Sequence, residues 1–141
     1  MIEIDESTEF GARVTRHLRE DVVVWLTTVS QRGGPVPTPV WFLWDGDESV
    51  LVFSLEKAVR VRHIETNPRV SLNFTGDGRG GDIVVLSGEA HVDADAPLAT
   101  GVDEYIAKYA DQMTRIGYAP DEFAARYSVA IRIRLTRVWG H

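Results

Sequence analysis

The residues best equipped for chemistry lie in one short stretch, Ser54-Leu55-Glu56-Lys57-Ala58-Val59-Arg60-Val61-Arg62-His63-Ile64-Glu65-Thr66-Asn67-Pro68-Arg69. Lys57, Arg60, Arg62 and Arg69 stand there against Glu56 and Glu65, a local charge of +2 in a chain of formal charge −6, which leaves −8 for the rest. Cations gathered beside a hydroxyl can hold an anion through charge-assisted hydrogen bonds. Ser54 is a capping residue type and Asn67-Pro68 a stop, so the spacing predicts a helix of about ten residues with Ala58, Val61 and Ile64 toward the core. In that register Lys57 falls in the first turn, where the helix dipole disfavours a cation. A phosphate resting on the free N–H groups, with Ser54, Lys57 and Arg60 converging on it, would turn that conflict into a binding site. The same charges equally suit a solvated face that pairs with Glu56 and Glu65.

A second candidate is Thr38-Pro39-Val40-Trp41-Phe42-Leu43-Trp44, a strand that is apolar on both faces. Pro37 and Pro39 are two apart, so their missing N–H groups fall along one edge, which no regular partner strand can pair. Its second face must be covered by a partner subunit, by a flat aromatic ligand, or by helices of the same chain.

Other motifs fall away on inspection. Gly76-Asp77-Gly78-Arg79-Gly80-Gly81 leads into a strand and not a helix, so it reads as a hairpin turn and not a phosphate loop. His17, His63, His91 and His141 have no metal-ligand spacing, Asp93-Ala94-Asp95 lacks the rest of a calcium loop, and no G-x-S-x-G is present. No metal is expected. The residues name no proton donor; Tyr105, Tyr109, His63 and solvent all stand as sources.

The elements that must position these groups are legible from periodicity. Ser7 to Glu20 reads as an amphipathic helix capped by Ser7. Strands follow at Asp21–Ser30, Val36–Trp44, Ser49–Ser54, Val70–Phe74 and Asp82–Val92, with Asp45-Gly46 as a hairpin turn. Pro97–Tyr109 and Pro120–Tyr127 read as helices, the first with Leu98, Val102, Tyr105, Ile106 and Tyr109 on one face. The last strand alternates Val129, Ile131, Ile133 and Leu135 with Arg132 and Arg134 until the period breaks at Arg137-Val138-Trp139, as at a bulge. Six strands without βαβ rhythm predict a mainly β (α+β) fold, an antiparallel barrel with peripheral helices, in one domain over residues 1–141.

Composition narrows the function classes. The 141 residues are 44% apolar, 26% charged and 9% aromatic, the usage of a folded soluble domain. The −6 charge works against binding nucleic acid, and zero cysteines remove disulfides, thiolate nucleophiles and cysteine-zinc sites. No stretch reaches the length of a signal peptide or membrane helix, so a cytoplasmic protein is expected.

The order helix, strand with glycine-rich turn, Thr38-Pro39-Val40-Trp41-Phe42, hairpin, Val52-Phe53-Ser54, then Lys57-x-x-Arg60-x-Arg62-x-Ile64-x-x-Asn67-Pro68-Arg69, resembles the split β-barrel flavin and deazaflavin oxidoreductases, the pyridoxamine 5'-phosphate oxidase-like superfamily. The likeness spans nearly the whole chain. The small size, the Thr-Pro-Val-Trp-Phe strand and the ending Arg137-Val138-Trp139-Gly140-His141 look most like the deazaflavin-dependent reductases, whose cofactor is coenzyme F420; flavin mononucleotide (FMN) is the alternative. The chain lacks the further arginine-rich C-terminal signature of true pyridoxamine phosphate oxidases.

The resemblance implies a six-stranded split barrel of the FMN-binding type. It places Ser54 at the cofactor phosphate and Arg60 as the phosphate-binding cation, with Lys57 and Arg62 as further basic residues. It lays the backbone of Thr38, Pro39, Val40 and Trp41 against the tricyclic ring. It also implies a homodimer with sites at the interface, where Trp139 approaches the partner's cofactor, and hydride transfer to an electron-poor small molecule. A split barrel that binds a cofactor without turnover is the non-enzymatic alternative.

Overall fold

β-Branched and aromatic runs pair antiparallel throughout the computed structural model, which describes residues 2–141. Seven strands, β1 (Val24–Val29), β2 (Pro35–Val40), β3 (Leu43–Trp44), β4 (Ser49–Ser54), β5 (Arg69–Asn73), β6 (Val84–Val92) and β7 (Val129–Gly140), form one sheet in the order β2-β1-β5-β6-β7-β4-β3. Four helices accompany it: α1 (Glu9–Glu20), α2 (Val59–Thr66), α3 (Asp103–Arg115) and α4 (Pro120–Arg126). None among the described residues is long and apolar enough to cross a membrane.

β2 and β3 stand at opposite ends of the sheet, yet only Trp41 and Phe42 separate them in the chain. Three peptide steps span at most about 11 Å, so the sheet must curl until its two edges nearly meet. The result is a split barrel. The expected strand Val36–Trp44 is therefore two strands, which raises the count from six to seven. Pro35, Pro37 and Pro39 pair with Val29, Thr27 and Trp25 of β1 and are all exposed, so β2 is a true edge.

Helix α3 closes the seam. The Tyr109 hydroxyl accepts the Phe42 N–H at 2.8 Å and lies 2.7 Å from the Val22 carbonyl and 2.9 Å from that of Phe42. Lys108 Nζ donates to the Phe42 carbonyl at 3.0 Å and sits 3.8 Å from the centre of the Phe42 ring. Both backbone groups of a residue outside any strand are thus satisfied by side chains.

Two apolar clusters share the wall. Phe42, Trp44, Val50 and Val52 join Leu26, Leu72, Leu86, Ile131, Ile133 and Leu135 in the barrel core, together with Val14 and Leu18 of α1. On the outside, Leu51, Phe53 and Ala130 pack under Tyr105, Tyr109, Met113 and Phe123, with Trp41 and Leu43 at the margin. The two-sided apolar run is therefore covered by the chain's own α3 and α4.

Local corrections have local causes. Helix α1 is capped by Thr8, whose Oγ1 accepts from Gly11 N at 3.0 Å, while Ser7 is engaged by Asp5. The helix expected from Pro97 starts at Asp103, because Ala99–Gly101 forms a separate 3-10 turn that leaves Leu98 48% exposed. In β7 the break in period is a bulge: Gly88 pairs with Leu135 and Ser87 with Arg137, which leaves Thr136 as the extra residue. The glycine run is a turn between β5 and β6, with Gly76, Gly78 and Gly80 at φ of 72°, 80° and 89°.

Removing only the seam hydroxyl, in Tyr109→Phe, leaves the buried Phe42 N–H without its partner and should cost about 1–3 kcal/mol, read as a lower urea midpoint with unchanged slope. Burial pulls Lys108 from 10.5 down to about 8, so between those pH values the unfolded chain holds a proton that the folded chain has released. Stability carried by this group rises with pH across that window. Wild type should accordingly gain on Lys108→Met between pH 8 and pH 10 in parallel thermal melts; a constant gap would contradict the desolvated lysine.

Candidate functional site

Strand β4 ends at Ser54, which pairs with Val129 and is fully buried, so this serine belongs to the sheet and caps no helix. The chain turns through Leu55 to Ala58, and α2 begins at Val59 after Ala58, an N-cap without a side-chain hydrogen bond. The expected helix start at Ser54 is thus displaced by about one turn. Lys57 precedes the helix, and the cation in its first turn is Arg60 instead.

Arg60, in the first turn of α2, reaches back to the strand ends. Its Nη1 donates to Ser54 Oγ at 2.7 Å and its Nη2 to Thr38 Oγ1 at 3.3 Å, while Nε is buried without a partner. No carboxylate pairs with it among the described residues. Burial pulls the guanidinium below the ordinary arginine value, offset in part by the nearby phenol of Tyr127. A half-buried cation held only by hydroxyls is unmatched in charge, and an anion is its complement.

Beside Arg60 opens a cavity of about 370 Å³. Pro39, Val40 and Trp41 of the seam form one wall, Phe53 and Leu55 the end of β4, and Tyr105, Ile116, Phe123 and Tyr127 the helical side. The aromatic rings form a row: Tyr109 stacks on Trp41 at 4.8 Å, Trp41 on Phe123 at 5.3 Å, and Phe123 on Tyr127 at 4.5 Å. A flat ring system fits against such a surface.

The structure thus gathers Thr38, Pro39, Val40, Trp41, Ser54 and Arg60 in one place. It does not gather Lys57, exposed before α2, nor Arg62, exposed two residues beyond Arg60 and so about 200° around the helix. Trp139 pairs with Val85, is 48% exposed and does not line the cavity. Of the three side chains named as proton sources, Tyr105 alone borders the cavity; Tyr109 seals the seam and His63 is buried, 2.8 Å from Thr28 Oγ1. Phe53, Leu55, Ile116, Phe123 and Tyr127 were missed by the sequence reading. The i, i+4 spacing of Phe123 and Tyr127 was a signal for a shared face, but not for what it faces. No group of three or more acidic or histidine side chains is placed to hold a metal ion among the described residues.

A family model described as pyridoxamine 5'-phosphate oxidase matches residues 10–141. No curated protein sequence matches the chain. Among solved structures the fold is similar to that of an F420 reductase, at 24% identity and TM-score 0.64 over 99% of this chain and 98% of that one. It is similar to a FAD-binding protein from Mesorhizobium loti, at 22% identity and TM-score 0.64 over 90% of each. A heme storage protein from Vibrio cholerae shares it at 17% identity and TM-score 0.63, over 94% of this chain and 95% of that one.

An unmatched guanidinium predicts a simple response to anions. Millimolar inorganic pyrophosphate should raise the melting temperature of wild type by mass action and leave that of Arg60→Met unmoved, each protein being compared with itself in anion-free buffer. Equal shifts in the two proteins would place anion binding elsewhere.

Proposed function

The chain belongs to the pyridoxamine 5'-phosphate oxidase family, and from that premise we propose that it is an oxidoreductase that uses coenzyme F420 to pass a hydride to an electron-poor small molecule. The observation that carries this reading is Arg60, a half-buried cation with an unpartnered Nε and no acid partner among the described residues, at the mouth of an aromatic cavity. Its donor set fits the phosphate of such a cofactor. When bound, the cofactor supplies the hydride chemistry and the protein supplies position and electrostatics.

Each residue then has a defined task. Arg60 binds the phosphate, and Ser54 and Thr38 fix its guanidinium so that little side-chain entropy is lost on binding. The seam at Pro39, Val40 and Trp41 orients the ring, while Phe53, Phe123 and Tyr127 keep water from it. Lys57 adds a second cation outside the pocket, and Arg62 contributes only through the longer-range field. We place the protein in the cytoplasm as a homodimer. A second subunit would cover Ile116 and Trp139, which are 51% and 48% exposed, and Trp139 reaches a site only across that interface.

FMN is the second reading, because the same guanidinium serves its phosphate. Heme storage has less support, since no imidazole lines the cavity.

Titrating the protein with F420 and with FMN, followed by tryptophan fluorescence, separates these readings. F420 should bind in preference, and Arg60→Ala should weaken it by about 1.5–3 kcal/mol, the range of a charge-assisted contact. Reduced F420 should then be consumed with an activated alkene as acceptor. Preference for FMN selects the second reading; equal affinity in Arg60→Ala removes the phosphate role; binding without turnover over a panel of acceptors selects the non-enzymatic barrel.

A further inference from the structure

Proline stands at every second position along β2, at Pro35, Pro37 and Pro39, and that spacing fixes which way the main chain points. In an antiparallel pair the N–H and C=O of one residue lie on the same side of the strand, and the side alternates along it. A proline nitrogen can carry no ladder bond, so the bonded pairs with β1 are Val36 with Thr28, Thr38 with Leu26 and Val40 with Val24. The carbonyls of the three prolines therefore point away from the sheet. Of the three, only Pro39 lines the cavity beside Arg60. Val40 and Trp41 line it too, although successive side chains of an extended chain point to opposite faces. What consecutive residues can present together is the edge of the strand. At Pro39 the cavity thus meets a main-chain acceptor whose own residue has no donor beside it.

We propose that Pro39 selects the cofactor ring: it offers a carbonyl and no N–H to the ring's edge, so that carbon at position 5 is admitted and an acceptor nitrogen there is disfavoured. This selection rests on the oxidoreductase reading in one respect, that a tricyclic ring anchored at Arg60 fills the cavity. Flavins and deazaflavins share the acceptors of their pyrimidine ring, so those cannot tell the two apart. They differ at position 5, where an oxidised flavin has a nitrogen lone pair and a deazaflavin a C–H group. A lone pair set against a carbonyl oxygen loses the hydrogen bond that water gave it and gains none. The C–H group has no such bond to lose and makes a weak contact with the same oxygen. Any residue other than proline would put an N–H on this edge, the donor that the nitrogen needs.

The test uses two ligands that differ in that single atom, FMN and 5-deaza-FMN, titrated by calorimetry into wild type, Pro39→Ala and Pro37→Ala, with F420 as a third ligand. Wild type should bind 5-deaza-FMN about fivefold tighter than FMN, within the range of a neutral hydrogen bond. Pro39→Ala restores an N–H at the cavity and should bring FMN level with 5-deaza-FMN, whose own affinity stays the same. Pro39→Ser carries the same N–H and should behave alike. Pro37→Ala restores an N–H on the same edge away from the cavity and should keep the fivefold gap, which controls for a loosened strand. Equal affinities of wild type for FMN and 5-deaza-FMN, a gap that survives in Pro39→Ala, or one that closes as far in Pro37→Ala would each overturn the proposal. If F420 binds in preference while FMN and 5-deaza-FMN bind alike, the F420 reading stands and Pro39 is not its cause. If the single-atom gap closes in Pro39→Ala and F420 does not bind, the F420 reading fails and selection by Pro39 stands. A wild type that binds none of the three overturns both.

Discussion

A two-residue connection between the opposite edges of a seven-stranded sheet is the constraint on which the rest of the molecule depends. Trp41 and Phe42 cannot stretch far enough to serve an open sheet, so β2 and β3 must be neighbours in space. They cannot zip together either, because the outer edge of β2 lacks N–H groups at alternate positions. The barrel therefore closes in shape without closing in hydrogen bonds, and its seam must be sealed by something else. Tyr109 and Lys108 do this from α3, with one hydroxyl and one ammonium meeting the backbone of Phe42.

The candidate site is a by-product of that seal. Carrying α3 and α4 across the seam stacks Tyr109, Trp41, Phe123 and Tyr127 into a row and leaves a space between this row and the end of β4. Arg60 stands at its mouth because α2 starts just beyond that strand end, close enough for its guanidinium to reach both Ser54 and Thr38. One feature thus positions an aromatic wall and an unmatched cation together. Neither requires a catalytic side chain, which agrees with a chemistry carried by a bound cofactor.

What was legible in the sequence was local. The alternation of β7, the break in its period and the proline-marked edge came from spacing and residue type, whereas Ser54 and Arg60 were read, with Lys57, as converging on one anion and not as bonded to each other. The seam was illegible because Val36–Trp44 is one continuous apolar run, and only closure of the barrel, a non-local event, decides where it breaks. The start of α2 was misread for a similar reason: Ser54 is a good cap by type, but pairing with Val129 and the bond from Arg60 claim it first. Phe123 and Tyr127 were visible as one face of a helix, yet nothing in their own segment says that this face meets Trp41. The resemblance to split barrels set the backbone of Thr38 to Trp41 against a ring and named neither Phe123 nor Tyr127.

The exposed prolines of β2 also govern how two copies of this chain can meet. An unprotected edge strand is a template for another strand, and a sheet that ends on one tends to grow by adding neighbours from other molecules. Pro35, Pro37 and Pro39 present carbonyls without donors, so continuous main-chain pairing cannot propagate from this edge. Any assembly of this protein through β2 must therefore use side-chain surfaces, which specify a fixed number of partners, and not sheet extension, which specifies none. The residues that let the barrel stay split also keep it from polymerising along that edge.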